Sequence, residues 1–350
     1  MKKIVISGYY GFENLGDEAV LEGIITLLGA AEVEITVLSA RPEITSKRYG
    51  VKSIGRYSII QILAALAEAD LFISGGGSLL QDVTGSFSVP YYLSLAWLAK
   101  LQGVKTIYYA QGAGPLNKFW SRKLTALSLN RFNLLGVRDQ GSYNLLKQIG
   151  VKQKLNLTVD PVFALADFEY NLHKKIKGKL EIGVAVRPWS ADYISELAAG
   201  LNRFSAESSC KFLLFSFHKG SDEKTAVQLQ KLLKAESELV KLPNQPNKAL
   251  SFFSELDLFV GVRLHSLIFA LLNQIPLLAI SYDPKVTGLM ADLDSLPCLE
   301  ITELKAAQVT TALTELHEQR YQLRKEIKTY LKQQKQQANV FARMVLEVIS

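Results

Sequence analysis

The stretch "LDLFVGVRLHSLIFALL", residues 256–272, contains the pattern that decides the fold. An apolar run rich in Val and Phe, typical of a buried strand, passes directly into an apolar run of helical length. Arg263 and His265 stand at the junction, where burying a charge or an imidazole without a partner would be costly. The pattern therefore predicts one strand–helix step of a parallel sheet, and it raises the question of what these two polar side chains bind.

The same alternation of strand and helix runs through the whole 350-residue chain. Predicted strands in the first half are 3–8, 34–40, 70–76, 105–112, 133–138 and 155–160, and those in the second half are 180–188, 210–218, 256–263 and 275–283. Apolar strands separated by helices indicate parallel sheets covered on both faces. The predicted class is α/β, with two doubly wound, Rossmann-like sheets facing a cleft in a GT-B-like architecture, the arrangement common among glycosyltransferases.

The length of the chain favours two domains. We predict an N-terminal Rossmann-like domain at 1–165, a polar linker at 166–179, and a C-terminal Rossmann-like domain at 180–350 that ends in a long helix. The helical pattern from about 303 to 348 is rich in basic residues. Two interpretations stay open for this helix: it lies on an anionic membrane surface, or it packs back on a domain.

Composition narrows the class of protein. Hydrophobic residues make up 48% and charged residues 21% of the chain, as in a folded globular protein. No apolar tract reaches the ~18 residues needed to span a bilayer, and no signal-peptide core is present, so we expect a cytoplasmic protein. Cys210 and Cys298 each lie beside apolar runs and are expected to be reduced packing residues.

The net charge of +7 favours acidic partners. The basic residues are dispersed and no nucleic-acid-binding motif occurs, so we expect no nucleic acid partner. Small anions and an anionic membrane remain as the expected partners. Peripheral association at the inner face of the membrane is therefore expected to be superficial and sensitive to salt.

Glycines follow the predicted strands of the first half, in "SGYYGFENLGDE", "SGGGSLLQD" and "AQGAGP". They indicate either tight turns or loops that let the backbone approach a ligand, and Gly75, Gly76 and Gly77 lead into a predicted helix start. None fits a dinucleotide or P-loop fingerprint. Asp17 and Asn14 are each interpreted either as a helix N-cap or as an acceptor of sugar hydroxyls.

Cationic residues follow the predicted strands of the second half, namely Arg187, His218, Arg263, His265 and Lys285. Because the carboxyl ends of parallel strands meet at one edge of a sheet, these groups should converge there. Together they predict a site for a strongly anionic ligand, held by guanidinium groups and a helix N-terminus. This convergence gives Arg263 and His265 a reason to stand at the junction.

The ordered segments "GYYGFENLGDEAVL", "DLFISGGGSLLQDVT", "YYAQGAGPL", "VRDQGS", "DPVFAL", "GVAVRPW", "RLHSLIFALL" and "ISYDPKV" resemble polysaccharide pyruvyl transferases, especially those of the CsaB type. The resemblance runs from residue 3 to about residue 287 and is specific, because several of these segments occur together. It implies transfer of an enolpyruvyl unit from phosphoenolpyruvate to a sugar, forming a pyruvate ketal. For the CsaB type the implied acceptor is N-acetylmannosamine in a lipid-linked precursor of the cell-wall polysaccharide, a glycan that anchors surface layers.

The resemblance also implies roles for individual residues. His265 corresponds to the acid/base histidine and Lys285 to the functional lysine of the family. The phosphoenolpyruvate site corresponds to Arg263 and Arg187, with Ser266 and His218 beside them. Ser216 stands where the family often has Pro, which weakens the assignment of His218.

The acceptor is expected at the glycine loops of the first half, on Asn14, Asp17, Gly75, Gly76, Gly77 and Gln111. This chemistry requires no metal and no cofactor, and the sequence contains no cluster of metal ligands. Two alternatives stay open: a nucleotide-sugar-dependent GT-B glycosyltransferase and a non-catalytic glycan-binding module. The cationic strand ends weigh against both, since a ribose site would offer an acid and a neutral sugar needs no such charge.

Overall fold

The computed structural model describes residues 1–29, 31–83, 85, 87–167, 178–218 and 220–350. The chain forms two compact units, one of Met1–Leu165 with Gln334–Ser350 and one of Ala166–Gln333. Of the predicted linker, residues 168–177 lie outside the described part of the chain. No helix among the described residues is both long and apolar enough to cross a membrane.

The first unit is built on one sheet. Its strands are β1 (Lys2–Ser7), β2 (Val33–Ser39), β3 (Lys52–Gly55), β4 (Leu71–Gly75), β5 (Lys105–Gln111), β6 (Leu134–Val137) and β7 (Leu155–Leu157). Every described pairing is parallel, and the order is β3-β2-β1-β4-β5-β6-β7. The connection reverses direction between β1 and β4, which makes that pair the topological switch point of a doubly wound sheet.

Helices connect successive strands of this unit. They are α1 (Leu15–Leu28), α2 (Pro42–Tyr49), α3 (Ile59–Ala67), α4 (Ser88–Leu101), α5 (Phe119–Leu129) and α6 (Gln140–Gln148), followed by a 3₁₀ turn at Pro161–Leu165. In α1 the apolar side chains Val20, Leu21, Ile24 and Leu28 are fully buried.

The second unit repeats the plan. Its strands are β8 (Leu180–Ala185), β9 (Cys210–Phe215), β10 (Ser237–Val240), β11 (Leu258–Gly261), β12 (Leu277–Ser281) and β13 (Cys298–Glu300). They form a parallel sheet in the order β10-β9-β8-β11-β12-β13, so the switch point falls between β8 and β11. Its helices are α7 (Ala191–Glu207), α8 (Ser221–Leu232), α9 (Pro246–Phe253), α10 (Leu264–Leu272), α11 (Pro284–Met290) and α12 (Ala306–Glu347).

Helix α12 corresponds to the predicted long C-terminal helix. Apolar side chains along its length are buried, among them Val309, Leu313, Leu331 and Val345. The helix therefore packs on the protein through its apolar face. Its final turns belong to the first unit, where the ring of Phe341 lies 5.2 Å from that of Tyr109.

An aromatic cluster supports the strand–helix junction that opened the sequence analysis. The buried ring of Phe253 lies 4.9 Å from Phe215, 5.3 Å from Phe259 and 5.7 Å from Phe269. Because Phe259 belongs to β11 and Phe269 to α10, the cluster fixes both elements that flank Arg263. The prediction of two doubly wound α/β sheets is confirmed.

Candidate functional site

The carboxyl edge of the second sheet brings the predicted cations to neighbouring strands. Gly261 at the end of β11 pairs with Ala185 at the end of β8, and Arg263 and Arg187 each follow two residues later. His218 follows β9 on one side and Lys285 follows β12 on the other. With adjacent strands about 4.8 Å apart, the four strand ends span roughly 15 Å. We call Arg187, His218, Arg263, His265 and Lys285 the cationic edge.

Arg263 is held by a residue that sequence reasoning missed. Its Nε and Nη2 donate to Oδ2 and Oδ1 of Asp222, both at 2.5 Å, in a bidentate ion pair. Asp222 is fully buried in the first turn of α8, whereas the Arg263 side chain is 26% exposed. The pair fixes the guanidinium plane and offsets its charge, which leaves Nη1 without a hydrogen-bond partner among the described residues.

Asp222 also organises the neighbouring strand end. Its Oδ2 accepts a hydrogen bond of 3.0 Å from the backbone N–H of His218. The carboxylate thus ties the loop after β9 to the loop after β11. The His218 side chain is exposed, with Nδ1 3.1 Å from Oγ of Ser221. Of the cationic edge, His218 and Arg263 are the two that share a described partner.

Arg187 has different surroundings. Its guanidinium carbon lies 4.0 Å from the ring centroid of Tyr282 and 5.9 Å from that of Trp189. Among the described residues no carboxylate pairs with it, and its buried Nε has no hydrogen-bond partner. Arg187 is therefore a half-buried cation whose charge no described acid offsets.

The backbone of Arg187 is fixed by Tyr193 of α7. The Tyr193 hydroxyl accepts from the N–H of Arg187 at 3.3 Å and donates to its carbonyl oxygen. Burial raises the pKa of Tyr193, so the hydroxyl keeps its proton and can donate. The guanidinium is consequently presented from a rigid turn rather than from a loose loop.

His265 and Ser266 occupy the first turn of α10, directly after Arg263 at the N-cap. His265 is half-buried. Ser266 is fully buried, and its Oγ donates to the carbonyl oxygen of Arg263 at 2.7 Å. The proton of this hydroxyl is therefore used in the helix start, which leaves only its oxygen lone pairs for a ligand.

Lys285 lies in the first turn of α11. Asp283 caps this helix by accepting from the N–H of Lys285 at 3.0 Å, and Pro284 occupies the first helical position. The segment "YDPK" is thus a capped helix start that places a half-buried lysine beside the cationic strand ends.

A second candidate site is a cavity of about 720 Å³ in the first unit. It opens at the carboxyl edge of that sheet, beside the switch point between β1 and β4. Aromatic side chains dominate its lining, which comprises Tyr9, Phe12, Asp17, Arg56, Tyr57, Ser78, Leu79, Gln81, Gly85, Phe87, Ser88, Tyr91 and Tyr92. We call it the aromatic cavity.

Arg56 is the residue of this cavity that sequence reasoning missed. It is 5% exposed and lies within 5.5 Å of the ring centroids of four aromatic residues: Phe12, Tyr57, Tyr91 and Tyr92. Its Nη1 donates to the Gly8 carbonyl at 3.3 Å and its Nη2 to the Tyr92 hydroxyl at 3.2 Å. No described carboxylate pairs with it.

The sequence left two roles open for Asn14 and Asp17, helix N-cap or acceptor of sugar hydroxyls, and the structure places the two residues differently. Asn14 is the N-cap of α1, with Oδ1 accepting from the N–H of Gly16 at 3.1 Å. Asp17 is not the N-cap, which corrects that interpretation, because the helix begins before it at Leu15. Asp17 instead lines the aromatic cavity, and it is the predicted acceptor residue found in that lining.

The glycine run is explained largely by packing. Gly76 and Gly77 have φ of 93° and 61°, which favours glycine. A Cβ on Gly76 would lie 2.7 Å from the Tyr10 hydroxyl, and one on Gly77 would lie 2.5 Å from Asp17 Oδ1. Buried Tyr10 donates to the Gly75 carbonyl at 2.8 Å. The glycines therefore let Tyr10 and Asp17 approach the backbone beneath the cavity.

Gln111 lies deeper than predicted for a ligand-binding residue. It is fully buried at the end of β5, and its Nε2 donates to Ser74 Oγ at 2.9 Å. It lies outside the described lining of the aromatic cavity. Its amide connects β4 to β5 inside the sheet, so its contribution to a ligand would be to hold the strand ends in place.

Comparison with known proteins adds a family to this geometry. The profile described as polysaccharide pyruvyl transferase matches residues 14–284, well over half of the chain. The chain therefore belongs to the polysaccharide pyruvyl transferase family. No curated protein matches its sequence.

Solved structures of similar fold have very different sequences. Anabaena HepE in complex with UDP-glucose has a TM-score of 0.68 at 11% identity, with 99% of this chain and 100% of that chain covered. A Rickettsia africae glycosyltransferase gives 0.67 at 10% identity, with 99% and 97% covered. Neisseria meningitidis UDP-GlcNAc 2-epimerase bound to UDP-GlcNAc gives 0.65 at 12% identity, with 100% and 99% covered. These likenesses establish a GT-B-like, two-domain fold and nothing about the ligand.

Proposed function

We propose that this member of the pyruvyl transferase family transfers the enolpyruvyl unit of phosphoenolpyruvate to a sugar, forms a cyclic pyruvate ketal and releases phosphate. The observation that carries the donor assignment is Arg187, a half-buried guanidinium without a described carboxylate partner, at the switch point of the second sheet. Phosphoenolpyruvate carries a phosphate and a carboxylate, both of which guanidinium groups bind well.

The two arginines would hold the donor in different ways. Arg187 supplies an uncompensated charge, and its stacking on Tyr282 keeps the guanidinium plane oriented. Arg263 has two of its nitrogens bound by Asp222, so its contribution is the Nη1 edge together with the first turn of α10. Lys285 would neutralise the remaining phosphate or carboxylate charge from the next strand end.

The chemistry removes a proton from each of two sugar hydroxyls and adds one proton to C3. In the first step a sugar hydroxyl adds to C2 of the enol, loses its proton, and C3 gains a proton to become a methyl group. In the second step another hydroxyl of the sugar bonds to C2, the bond from C2 to the phosphate oxygen breaks, and phosphate leaves with the electron pair. We assign proton donation to C3 and proton acceptance from the hydroxyls to His265, because an imidazole can do both near neutral pH.

The acceptor would bind in the aromatic cavity. Rings such as Tyr9 and Tyr57 can pack on the apolar face of a sugar, and Asp17 can accept hydrogen bonds from its hydroxyls. The resemblance to the CsaB type supports N-acetylmannosamine in a lipid-linked cell-wall precursor as the acceptor. Arg56 adds a cation suited to a phosphate or a carbonyl oxygen of that precursor.

The test is mass spectrometry of a lipid-linked disaccharide that contains N-acetylmannosamine, after incubation with the protein and phosphoenolpyruvate. We expect the acceptor to gain the mass of a pyruvyl ketal while an equal amount of phosphate is released. UDP-sugars replace phosphoenolpyruvate in the matched reaction and should give no product. Glycosyl transfer from a UDP-sugar, with no ketal across several acceptors, would overturn the proposal in favour of a glycosyltransferase.

A further inference from the structure

Large apolar side chains are exposed at the carboxyl edge of the first sheet. Phe87 is 84% exposed, Ile60 82%, Tyr57 74% and Phe119 70%. Val83, Ile59 and Trp120 are exposed beside them in sequence. They stand in the loops and helix starts that follow β3, β4 and β5, which are parallel strands of one sheet. We call these seven residues the apolar rim.

Contacts join these loops into one surface. Tyr57 and Phe87 line the same aromatic cavity. Asp82, directly before Val83, accepts from the N–H groups of Asn117 and Lys118 at 2.9 and 2.8 Å. The loop after β4 is therefore tied to the start of α5, which carries Phe119 and Trp120. The apolar rim is continuous with the mouth of the cavity rather than scattered over the unit.

The charged residues of the three segments that carry the apolar rim are all basic, whereas Asp17 of the cavity lies on another segment. Segments 56–67, 83–104 and 117–131 contain Lys and Arg but no Asp or Glu. Lys123 Nζ lies 4.5 Å from the Phe119 ring centroid, and Lys118 Nζ lies 5.7 Å from that of Trp120. Asp82 keeps its carboxylate buried and hydrogen-bonded to backbone amides. Exposed Phe and Trp interleaved with Lys and Arg are the composition of surfaces that enter the headgroup region of bilayers.

We propose that the apolar rim docks the protein on an anionic lipid bilayer, with Phe119, Trp120, Phe87 and Ile60 entering the headgroup boundary and Lys118, Arg122 and Lys123 facing the anionic lipids. The side chains project from three separate strand–helix connections, as suits a fluid surface better than a shaped protein partner. Docking requires none of the proposed chemistry. If the acceptor is lipid-linked, as the proposed function states, the same contact would bring its head group to the aromatic cavity.

Vesicle flotation of the intact protein without substrates tests the proposal. We expect binding to phosphatidylcholine vesicles that contain phosphatidylglycerol. A smaller fraction of the protein should stay bound at high salt, because salt does not screen the insertion of apolar side chains. The double variant Phe119→Ser, Trp120→Ser should bind vesicles at high salt with an affinity lower by about tenfold or more. Lys118→Gln with Lys123→Gln should lower only the low-salt affinity.

Leu101→Ser is the matched control, because Leu101 is 79% exposed at the far end of α4 and so lies at the opposite edge of the sheet. This variant should bind vesicles like the wild type. Quenching of tryptophan fluorescence by brominated lipids gives a second readout that needs no disruptive variant. It should occur in the wild type and be much reduced in Trp120→Phe.

Three results would overturn the proposal. The first is equal high-salt binding by the wild type and the Phe119→Ser, Trp120→Ser variant while thermal unfolding shows both to be folded. The second is the absence of lipid quenching at Trp120. The third is a change of oligomeric state in the variant, measured by light scattering, without a change in vesicle binding; this would assign the rim to contact between copies. Since no measurement uses a substrate, failure here leaves the proposed reaction to its own test.

Discussion

Arg187 and Arg263 leave the second sheet at the same level, but their electrostatic surroundings differ. Asp222 offsets the charge of Arg263 and no described acid offsets that of Arg187. A ligand that brings two anionic groups gains most from the cation that is not already paired. The donor site should therefore depend more on Arg187 than on Arg263.

This difference predicts the effect of Arg187→Ala on the donor. Losing hydrogen bonds to a charged ligand costs about 1.5–3 kcal/mol, so the KM for phosphoenolpyruvate should rise roughly 10- to 150-fold. The melting temperature should fall only by the loss of stacking on Tyr282, because the hydrogen bonds of Arg187 are made by its backbone. Steady-state kinetics checks the prediction. The control is Arg203→Ala, a variant at an exposed arginine of α7, which should leave the KM unchanged. An unaltered KM would remove Arg187 from the donor site.

His265 should affect the rate of reaction more than the binding of the donor. His265→Ala should reduce kcat by roughly 10²–10⁴, the range for a lost acid/base group, and leave the Kd for phosphoenolpyruvate within a few-fold. His265→Gln keeps a hydrogen-bonding side chain but cannot shuttle a proton, so it should be nearly as poor. Measuring kcat and donor Kd for both variants decides the role: a well-active Gln variant would show that the imidazole only orients its neighbours.

At the scale of secondary-structure elements, Asp222 joins α8 to β11 and to the loop after β9. Asp222→Ala would leave Arg263 and the His218 N–H without their acceptor. The free energy of unfolding should fall by about 3 kcal/mol, the lower end for a broken buried ion pair because Arg263 is partly exposed. Arg263→Lys, which loses the bidentate geometry, should lower both stability and donor affinity.

Urea denaturation measures the Asp222 effect, and Asp192→Ala provides its control. Asp192 is an exposed acid in the first turn of α7, equivalent in helix position but without a described buried partner. The control should lose well under 1 kcal/mol. Equal losses in the two variants would mean that the pair with Arg263 contributes no stability.

Asp82 connects two other elements, and its contribution should depend on pH. Burial alone would raise the pKa of Asp82, but the amides of Asn117 and Lys118 that donate to it lower the pKa below the ordinary 3.8. A lowered pKa in the folded state stabilises the protein above the unfolded-state value, and this stability is lost as pH falls through the folded-state value. It is therefore complete at neutral pH and fades below about pH 4.

Asp82→Asn should accordingly lower the free energy of unfolding at pH 7 by about 1.5–3 kcal/mol, the size of hydrogen bonds to a charged group. The difference from the wild type should shrink at pH 3, because the carboxyl of the unfolded chain is then largely protonated and keeping it ionised in the folded state contributes less. Urea denaturation at the two pH values measures it. A difference of the same size at both values would contradict the role of the ionised carboxylate.

The elements that the sequence predicts are those with long apolar runs, and the missed ones lie at sheet edges. Strands β3 (KSIG), β10 (SELV) and β13 (CLE) are short, partly exposed and flanked on one side only, so they lack the apolar signal of central strands. Missing β3 also concealed Arg56, which follows it directly. Asp222 was missed for another reason: its partner lies 41 residues away, and no local pattern reports such a pair.

At the scale of the whole molecule, the fold says less about function than the residues at the strand ends do. Solved structures of a glycosyltransferase, of HepE and of an epimerase share this architecture at 10–12% identity. The residues proposed for the donor site, the run Arg263–Ser266 and Lys285, could be named from the sequence. Asp222, the partner of Arg263, and Tyr282, on which Arg187 stacks, could be identified only from the folded structure.

The interleaving of the chain through the two units has a consequence for the order of events on the ribosome. Residues 334–350 belong to the first unit, and the ring of Phe341 lies against Gly136, where a Cβ would come within 2.1 Å of it. The N-terminal sheet is synthesised first, but its surface at Gly136 stays uncovered until Phe341 has left the ribosome. The second unit uses the uninterrupted stretch 166–333 and has all its residues earlier. During translation the unit that is synthesised first is therefore completed last. Until then it exposes the apolar surface on which the last turns of α12 pack.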